Sequence, residues 1–202
     1  MRALVLASTS PRRRRLLRRL GVPFAVRAPD ADERPLPGEK PGAHVRRLAL
    51  EKARAVARAL PCGSGARWVL GADTVIALDG AILGKPAGPR DAERMLGRLA
   101  GRSHEVLTGV ALAPVGGGRA RTAVVRSAVT MRPRDPDAIR RYVATGEPLD
   151  KAGAYAVQGR GRRLVSRVSG SLSNVVGLPL ERVAAMLAAC GFTSARPPED
   201  GA

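Results

Sequence analysis

Asp73 stands in the middle of an apolar, β-branched run, Trp68-Val69-Leu70-Gly71-Ala72-Asp73-Thr74-Val75-Ile76-Ala77-Leu78. A carboxylate there is costly to bury unless a cation, a hydrogen-bond network or a catalytic task compensates it. One lysine is a candidate to meet it. Lys85 follows the next apolar segment and could face Asp73 from the far end of a hairpin. Lys52 falls inside the apolar stripe Val45, Leu48, Ala49, Ala53 and Val56, at i+4 from Leu48 and i−4 from Val56. It is either a side chain snorkelling from the edge of a helix face or an ammonium delivered to an anionic ligand. Asp73 is correspondingly either half of a structural pair, a solvent-facing residue at a strand end, or a functional carboxylate.

Phosphate chemistry is suggested near the N-terminus. Ala3-Leu4-Val5-Leu6-Ala7 reads as a short buried strand, followed by Ser8-Thr9-Ser10-Pro11 and a helix from Arg12 to Leu20. Ser10 fits the N-cap and Pro11 the first helical position. The helix start offers free backbone N–H groups and a positive dipole end, to which the hydroxyls, Arg12 and Arg13 add donors. Leu16, Leu17 and Leu20 form the buried side, which leaves Arg14, Arg15, Arg18 and Arg19 on a solvated face. The loop Asp30-Ala31-Asp32-Glu33-Arg34-Pro35-Leu36-Pro37-Gly38-Glu39 is rich in carboxylates. Such a loop is either an acidic surface segment or a source of oxygen ligands for Mg2+.

These residues need elements to hold them. Asp79-Gly80 between two apolar runs signals a two-residue hairpin turn. Helices are expected over Pro41–Leu60, Asp91–Ala100, after the Asp135-Pro136 cap, and at the C-terminus with Val183, Met186, Leu187 and Cys190 inside. Ser103–Leu112 and Ala120–Met131 read as an antiparallel pair joined at Gly116-Gly117-Gly118. Asp150–Gly159 reads as a short strand ending before a flexible glycine pair, Gly159 and Gly161. Leu164–Val168 reads as a further strand, and residues from Thr193 on as a frayed tail. A single domain over 1–192 is expected.

Composition narrows the function classes. The 202 residues carry a net charge of +18, which attracts phosphates, nucleotides or nucleic acid. Of the 35 basic residues only Lys40, Lys52, Lys85 and Lys151 are lysine, so Lys52 and Lys85 are kept where a compact ammonium is called for. Cys62 and Cys190 have no metal or redox spacing, and His44 and His104 are too few for a histidine-rich metal site. Any metal would be a hard cation on carboxylates. No run reaches transmembrane length and none reads as a signal peptide, so a cytoplasmic protein without a membrane partner is expected.

Taken in order, Leu6-Ala7-Ser8-Thr9-Ser10-Pro11-Arg12-Arg13, Glu51-Lys52-Ala53, Gly71-Ala72-Asp73-Thr74, Gly84-Lys85-Pro86, Ser103-His104-Glu105-Val106-Leu107-Thr108-Gly109, Asp150-Lys151-Ala152-Gly153-Ala154-Tyr155 and Asn174-Val175-Val176-Gly177-Leu178-Pro179 closely resemble the Maf family of nucleoside triphosphate pyrophosphatases. The resemblance runs from the first strand to the last helix. It implies an α/β fold of two lobes, with a long curved mixed sheet flanked by helices and a central cleft, similar to inosine triphosphate pyrophosphatases. It also implies that Asp73 is the proton acceptor, that Ser8, Ser10, Arg12, Arg13, Lys52 and Lys85 clamp the triphosphate, and that Glu33 is an active-site glutamate that, with Asp73, would hold the metal. A divalent cation, Mg2+ first and Mn2+ as the alternative, and a homodimer follow from the resemblance alone.

The same resemblance bears on the base. Members of the 7-methylguanosine triphosphate type carry Trp and Glu where this chain has Arg12 and Gln158, and with Thr74 beside them the present residues resemble the dTTP/UTP type. A Gln amide both donates to a carbonyl and accepts from the ring N–H of thymine or uracil, whereas Trp and Glu suit a cationic purine. Arg160, Arg162 and Arg163 near Gln158 depart from that pattern. The implied reaction is metal-assisted hydrolysis of a nucleoside triphosphate to monophosphate and pyrophosphate, in a house-cleaning or division-linked role. The rival is a basic nucleic-acid-binding regulator, disfavoured by the scarcity of aromatic residues for base stacking, 2% of the chain.

Overall fold

The computed structural model describes residues 4–61 and 65–193. Ala3, Cys62 and the expected tail beyond Thr193 lie outside the described residues. In chain order the elements are β1 (Leu4–Ala7), α1 (Pro11–Arg18), β2 (Phe24–Arg27), α2 (Pro41–Ala59), β3 (Trp68–Leu78), β4 (Ala81–Leu83), α3 (Pro89–Leu99), β5 (Ser103–Pro114), β6 (Arg121–Met131), α4 (Pro136–Val143), β7 (Val165–Ser169), α5 (Leu172–Val176) and α6 (Leu180–Ala188). The strands form one mixed sheet in the order β2-β1-β3-β5-β6-β7, with β4 added to β3. β1 is parallel to β2 and β3, and every other pairing is antiparallel. No helix among the described residues is long and apolar enough to cross a membrane.

The hairpin at Asp79-Gly80 forms as its sequence requires, with both residues in the left-handed region at φ 54° and 79°. β5 covers one edge of β3 from Trp68 to Ala77. On the other edge β1 pairs only with Trp68–Gly71 and β4 only with Ile76–Leu78. Among the described residues the edge is therefore unpaired from Ala72 to Val75. This notch holds Asp73 and Thr74, whose side chains alternate to opposite faces of the sheet.

α2 lies across one face, where Ala49, Ala53 and Val56 pack on Val69 and Ala111, and Val45 packs on Val75 and Leu107. Two glycines let its backbone down onto the sheet. A Cβ at Gly71 would lie 2.2 Å from the Ala49 carbonyl oxygen, and one at Gly109 would lie 2.0 Å from that of Val45. Gly109 is the cross-strand neighbour of Asp73. On the opposite face one apolar cluster joins Leu70, Ala72 and Val110 to α1 and α6, and another joins Ile76, Val106 and Val129 to α3 and α4. Thr74 and Thr108, paired across β3 and β5, stand between them.

Two local expectations are corrected. Asp150–Gly159 is not a strand. It contains a 3-10 turn at Ala152–Ala154, with Gly153 and Ala154 at φ 65° and 58°, conformations that cannot continue an extended chain. Gly161 is held rather than flexible, since it lies in a 3-10 helix over Gly159–Leu164 and a Cβ there would meet the Ala156 carbonyl oxygen at 2.4 Å. The segment before the last helix includes α5, whose N-cap Ser171 accepts the Asn174 N–H at 3.2 Å.

Candidate active site

β1 delivers the chain to the notch at its C-terminal end. There Ser8, 3% exposed, accepts the Ser10 N–H at 3.2 Å, and Ser10 caps α1 by accepting the Arg13 N–H at 3.4 Å. The start of α1 therefore faces the gap in the sheet, with its dipole and N–H groups suited to an anion. Arg13 folds back from this turn. Its Nε donates to the Gly177 carbonyl at 2.9 Å and its Nη2 to Thr74 Oγ1 at 3.1 Å, which leaves the Nη1 side of the guanidinium unused by these contacts. Burial lowers the Arg13 pKa from its usual value against the opposing pull of Asp73 and Glu33. A desolvated cation of this kind favours an anionic ligand.

On the α2 face Lys52 is buried, not snorkelling, with its side chain 5% exposed. Its Nζ donates to Asp73 Oδ1 at 2.7 Å and lies 2.6 Å from Glu33 Oε1. The partner of Asp73 is thus Lys52, and not Lys85. Lys85 is exposed and makes no ion pair among the described residues. Among the described residues Asp73 Oδ2 accepts no hydrogen bond.

The loop that carries Glu33 is fastened to α2 through residues that sequence reasoning passed over. Glu39 accepts from the Leu36 N–H and from Arg47, and its Oε2 is 2.9 Å from His44 Nδ1. Arg47 also donates to the Arg34 carbonyl at 3.1 Å, next to Glu33 in sequence. The Arg47 contact, with help from His44, holds the Glu39 pKa down to about 2 despite burial.

Ser8, Ser10, Arg12, Arg13, Glu33, Lys52, Asp73, Thr74, Lys85 and Gln158 all line one cavity of about 400 Å3. Gln158 stands exposed on it and forms no side-chain hydrogen bond to a described residue. Arg12 lies 3.9 Å from Asp150 across the mouth. Asp150, Lys151, Tyr155 and Gly177 also line the cavity, although the sequence marks them only as parts of motifs. Lys151 is tied to the Glu147 carbonyl at 2.7 Å and to Asp150 at 2.5 Å. The signal that could have found the Gly71 and Gly109 contacts was present, since an isolated glycine within a strand marks close approach of another backbone.

A hard divalent cation fits the carboxylate pair. No group of three or more His, Cys, Asp or Glu suited to a metal exists among the described residues. Glu33 and Asp73 nevertheless converge on one ammonium, and Mg2+ characteristically takes one or two carboxylates, completing its shell with water and substrate phosphates.

Comparison with known proteins matches nearly the whole chain. The family model described as Maf-like protein matches residues 3–190. A dTTP/UTP pyrophosphatase of Symbiobacterium thermophilum is 52% identical over 192 residues, covering 95% of this chain and 96% of the relative. One of Myxococcus xanthus is 54% identical over 189 residues, covering 94% and 93%. A third, of Moorella thermoacetica, is 52% identical over 191 residues, covering 95% and 96%.

Proposed function

The chain belongs to the Maf-like family, and from that premise we propose that it hydrolyses dTTP and UTP to the nucleoside monophosphate and pyrophosphate. The observation that carries the proposal is the buried Lys52 ammonium held between Asp73 and Glu33 in a cavity that also receives the capped start of α1. Anion-binding groups and a carboxylate base thereby share one space.

In the proposed reaction the triphosphate lies against Ser8, Ser10, Arg13 and the N-terminus of α1, with Lys85 reaching it from the rim. Asp73 orients a water and takes its proton. The water oxygen forms a bond to the α-phosphorus, the bond from that phosphorus to the α–β bridging oxygen breaks, and pyrophosphate leaves. Lys52 holds Asp73 Oδ1, so Oδ2 is the atom that accepts the proton. Arg13 and Lys85 offset charge that develops on the departing oxygens. A divalent cation, Mg2+ in the first place, would be held by Glu33 and Asp73 and would supply further neutralisation of phosphate charge. Gln158, Arg12 and Thr74 lie where the base would be read, and the Gln158 amide matches the carbonyl and ring N–H of thymine or uracil.

The test is a panel of canonical triphosphates and 7-methyl-GTP, each incubated with the protein and Mg2+ and its products separated by chromatography. Monophosphate and pyrophosphate from dTTP and UTP are expected. Release of orthophosphate with a diphosphate, or equal turnover of all bases, would overturn the proposal.

A further inference from the structure

Thr74 and Thr108 touch through their hydroxyls at 2.9 Å, a contact in which either could be the donor. The surroundings decide which. Thr108, fully buried, also lies 3.1 Å from the Asn174 carbonyl oxygen, which can only accept. A hydroxyl has one proton, so Thr108 gives its proton to Asn174 and accepts from Thr74. Thr74 has then spent its own proton, and its contact with the always-donating Arg13 Nη2 fits the remaining polarity. The alternative, Thr74 donating to the Gly177 carbonyl, spans 3.5 Å, longer than the 2.9 Å Thr74–Thr108 contact and the 3.1 Å Thr108–Asn174 contact.

The end of this chain is itself fixed. The Asn174 side-chain amide donates to the Val106 carbonyl at 3.1 Å and to Ser127 Oγ at 3.0 Å, and Ser127 donates to the Ser171 carbonyl at 3.0 Å. These bonds moor α5 to β5 and β6 and hold the Asn174 carbonyl over Thr108. They also hold the end of α5, where Gly177 binds Arg13.

We propose that Thr108 and Asn174 are positioning residues that make Thr74 a pure hydrogen-bond acceptor toward the cavity and fix the free guanidinium edge of Arg13. Resting on the pyrophosphatase reading, this restricts the substrate. Whatever meets Thr74 has to present a donor, a ring N–H of the base or a hydroxyl of the sugar, and neither a carbonyl nor a phosphate oxygen can dock there.

Two measurements test it. NMR of the protein without nucleotide is expected to show a slowly exchanging Thr108 hydroxyl proton with cross-peaks to Asn174. A proton directed at Thr74 instead overturns the polarity, whatever the enzyme hydrolyses. The second is kcat/KM for dTTP, N3-methyl-dTTP and 3′-deoxythymidine triphosphate with wild type, Thr108→Val, Thr108→Ser and Ser103→Ala, with thermal melts alongside. Thr108→Val is expected to lose about ten- to a hundredfold on dTTP, mostly in KM, as the partners of a buried hydroxyl are left unmatched. It should also lose discrimination against whichever analogue lacks the donor that Thr74 reads, N–H or hydroxyl. Thr108→Ser, which keeps the hydroxyl, and Ser103→Ala, whose hydroxyl pairs with Thr130 at the exposed end of β5, should stay close to wild type. If Thr108→Val does not fold, Thr74→Val carries the same expectation. A folded variant with unchanged KM and selectivity overturns the proposal. A wild type inert toward every triphosphate would instead refute the pyrophosphatase reading, with the NMR result still deciding the polarity.

Discussion

A single methyl group at Gly109, on the sheet beneath α2, should disable the protein. The Cβ of Gly109→Ala would stand 2.0 Å from the Val45 carbonyl oxygen and 2.4 Å from its carbon, whereas real Cβ contacts essentially never fall below 3.0 Å. The clash is with helix backbone, so no rotamer relieves it, and α2 has to retreat by about 1 Å. Overpacking of this kind costs about 1–3 kcal/mol. For a chain of this size that is a fall of roughly 2 to 12 °C in Tm. Lys52 is seven residues beyond Val45, on the same side of α2, and its 2.7 Å contact with Asp73 would be lost or rebuilt in another geometry. A misplacement of about 1 Å at a catalytic group is worth about a hundredfold in rate. Gly71→Ala, facing the Ala49 carbonyl at 2.2 Å, should behave alike. Gly97→Ala is the control, because Gly97 is exposed within α3 and a Cβ there would meet nothing within 4 Å, so alanine should stabilise by about 0.5–1 kcal/mol. Calorimetric melts and kcat on dTTP for the three variants decide the matter. Wild-type Tm and kcat in Gly109→Ala would refute the claim that the seat of α2 sets the site.

Lys85→Ala should raise KM for triphosphate without lowering Tm, since Lys85 is exposed, while Arg14→Ala and Arg18→Ala should change neither; equal effects from all three would point to bulk charge rather than a placed cation. Gln158→Glu should cost about five- to a hundredfold in kcat/KM on dTTP and UTP by setting acceptor against acceptor, and unchanged relative rates across bases would show that the base is read elsewhere. Burial lowers the His104 pKa to about 4 from 6.5, so the unfolded chain takes up this proton first as pH falls. The stability contributed by the neutral ring is present above pH 6.5 and is lost as pH falls toward 4, by about 2 kcal/mol at pH 5. Urea midpoints of wild type and the non-titrating His104→Gln at pH 7, 6 and 5 measure this, and parallel curves would contradict it.

Much of the frame could be read from the chain because its signals are local. Ser10-Pro11 sets a helix start, Asp79-Gly80 sets a hairpin, and the apolar, β-branched run around Asp73 sets a strand. The failures share a cause in contacts remote in sequence. Lys85 is the partner the hairpin suggests for Asp73, but Gly71 and Gly109 let α2 bring Lys52 to it instead, from a helix remote in sequence. Gly153 bends the chain over Ile76, where its Cβ would be 2.7 Å from Ile76 Cδ1, so an extended reading of Asp150–Gly159 could not hold. The Thr74–Thr108–Asn174 chain joins β3, β5 and α5, and only the paired register of β3 and β5 brings its members together. Glu39 looked like one more carboxylate in an acidic loop, yet its burial beside Arg47 anchors the segment that carries Glu33.

The central claim is that a water activated by Asp73 attacks the α-phosphorus. Turnover of dTTP in 18O-enriched water, with products resolved by mass spectrometry for wild type and Asp73→Asn, tests it most directly. The label is expected in the monophosphate and not in pyrophosphate, with the rate falling by about two to four orders of magnitude in the folded Asp73→Asn variant, which cannot take the proton. Label in pyrophosphate or orthophosphate, or an Asp73→Asn variant retaining more than about a tenth of the wild-type rate, would contradict it.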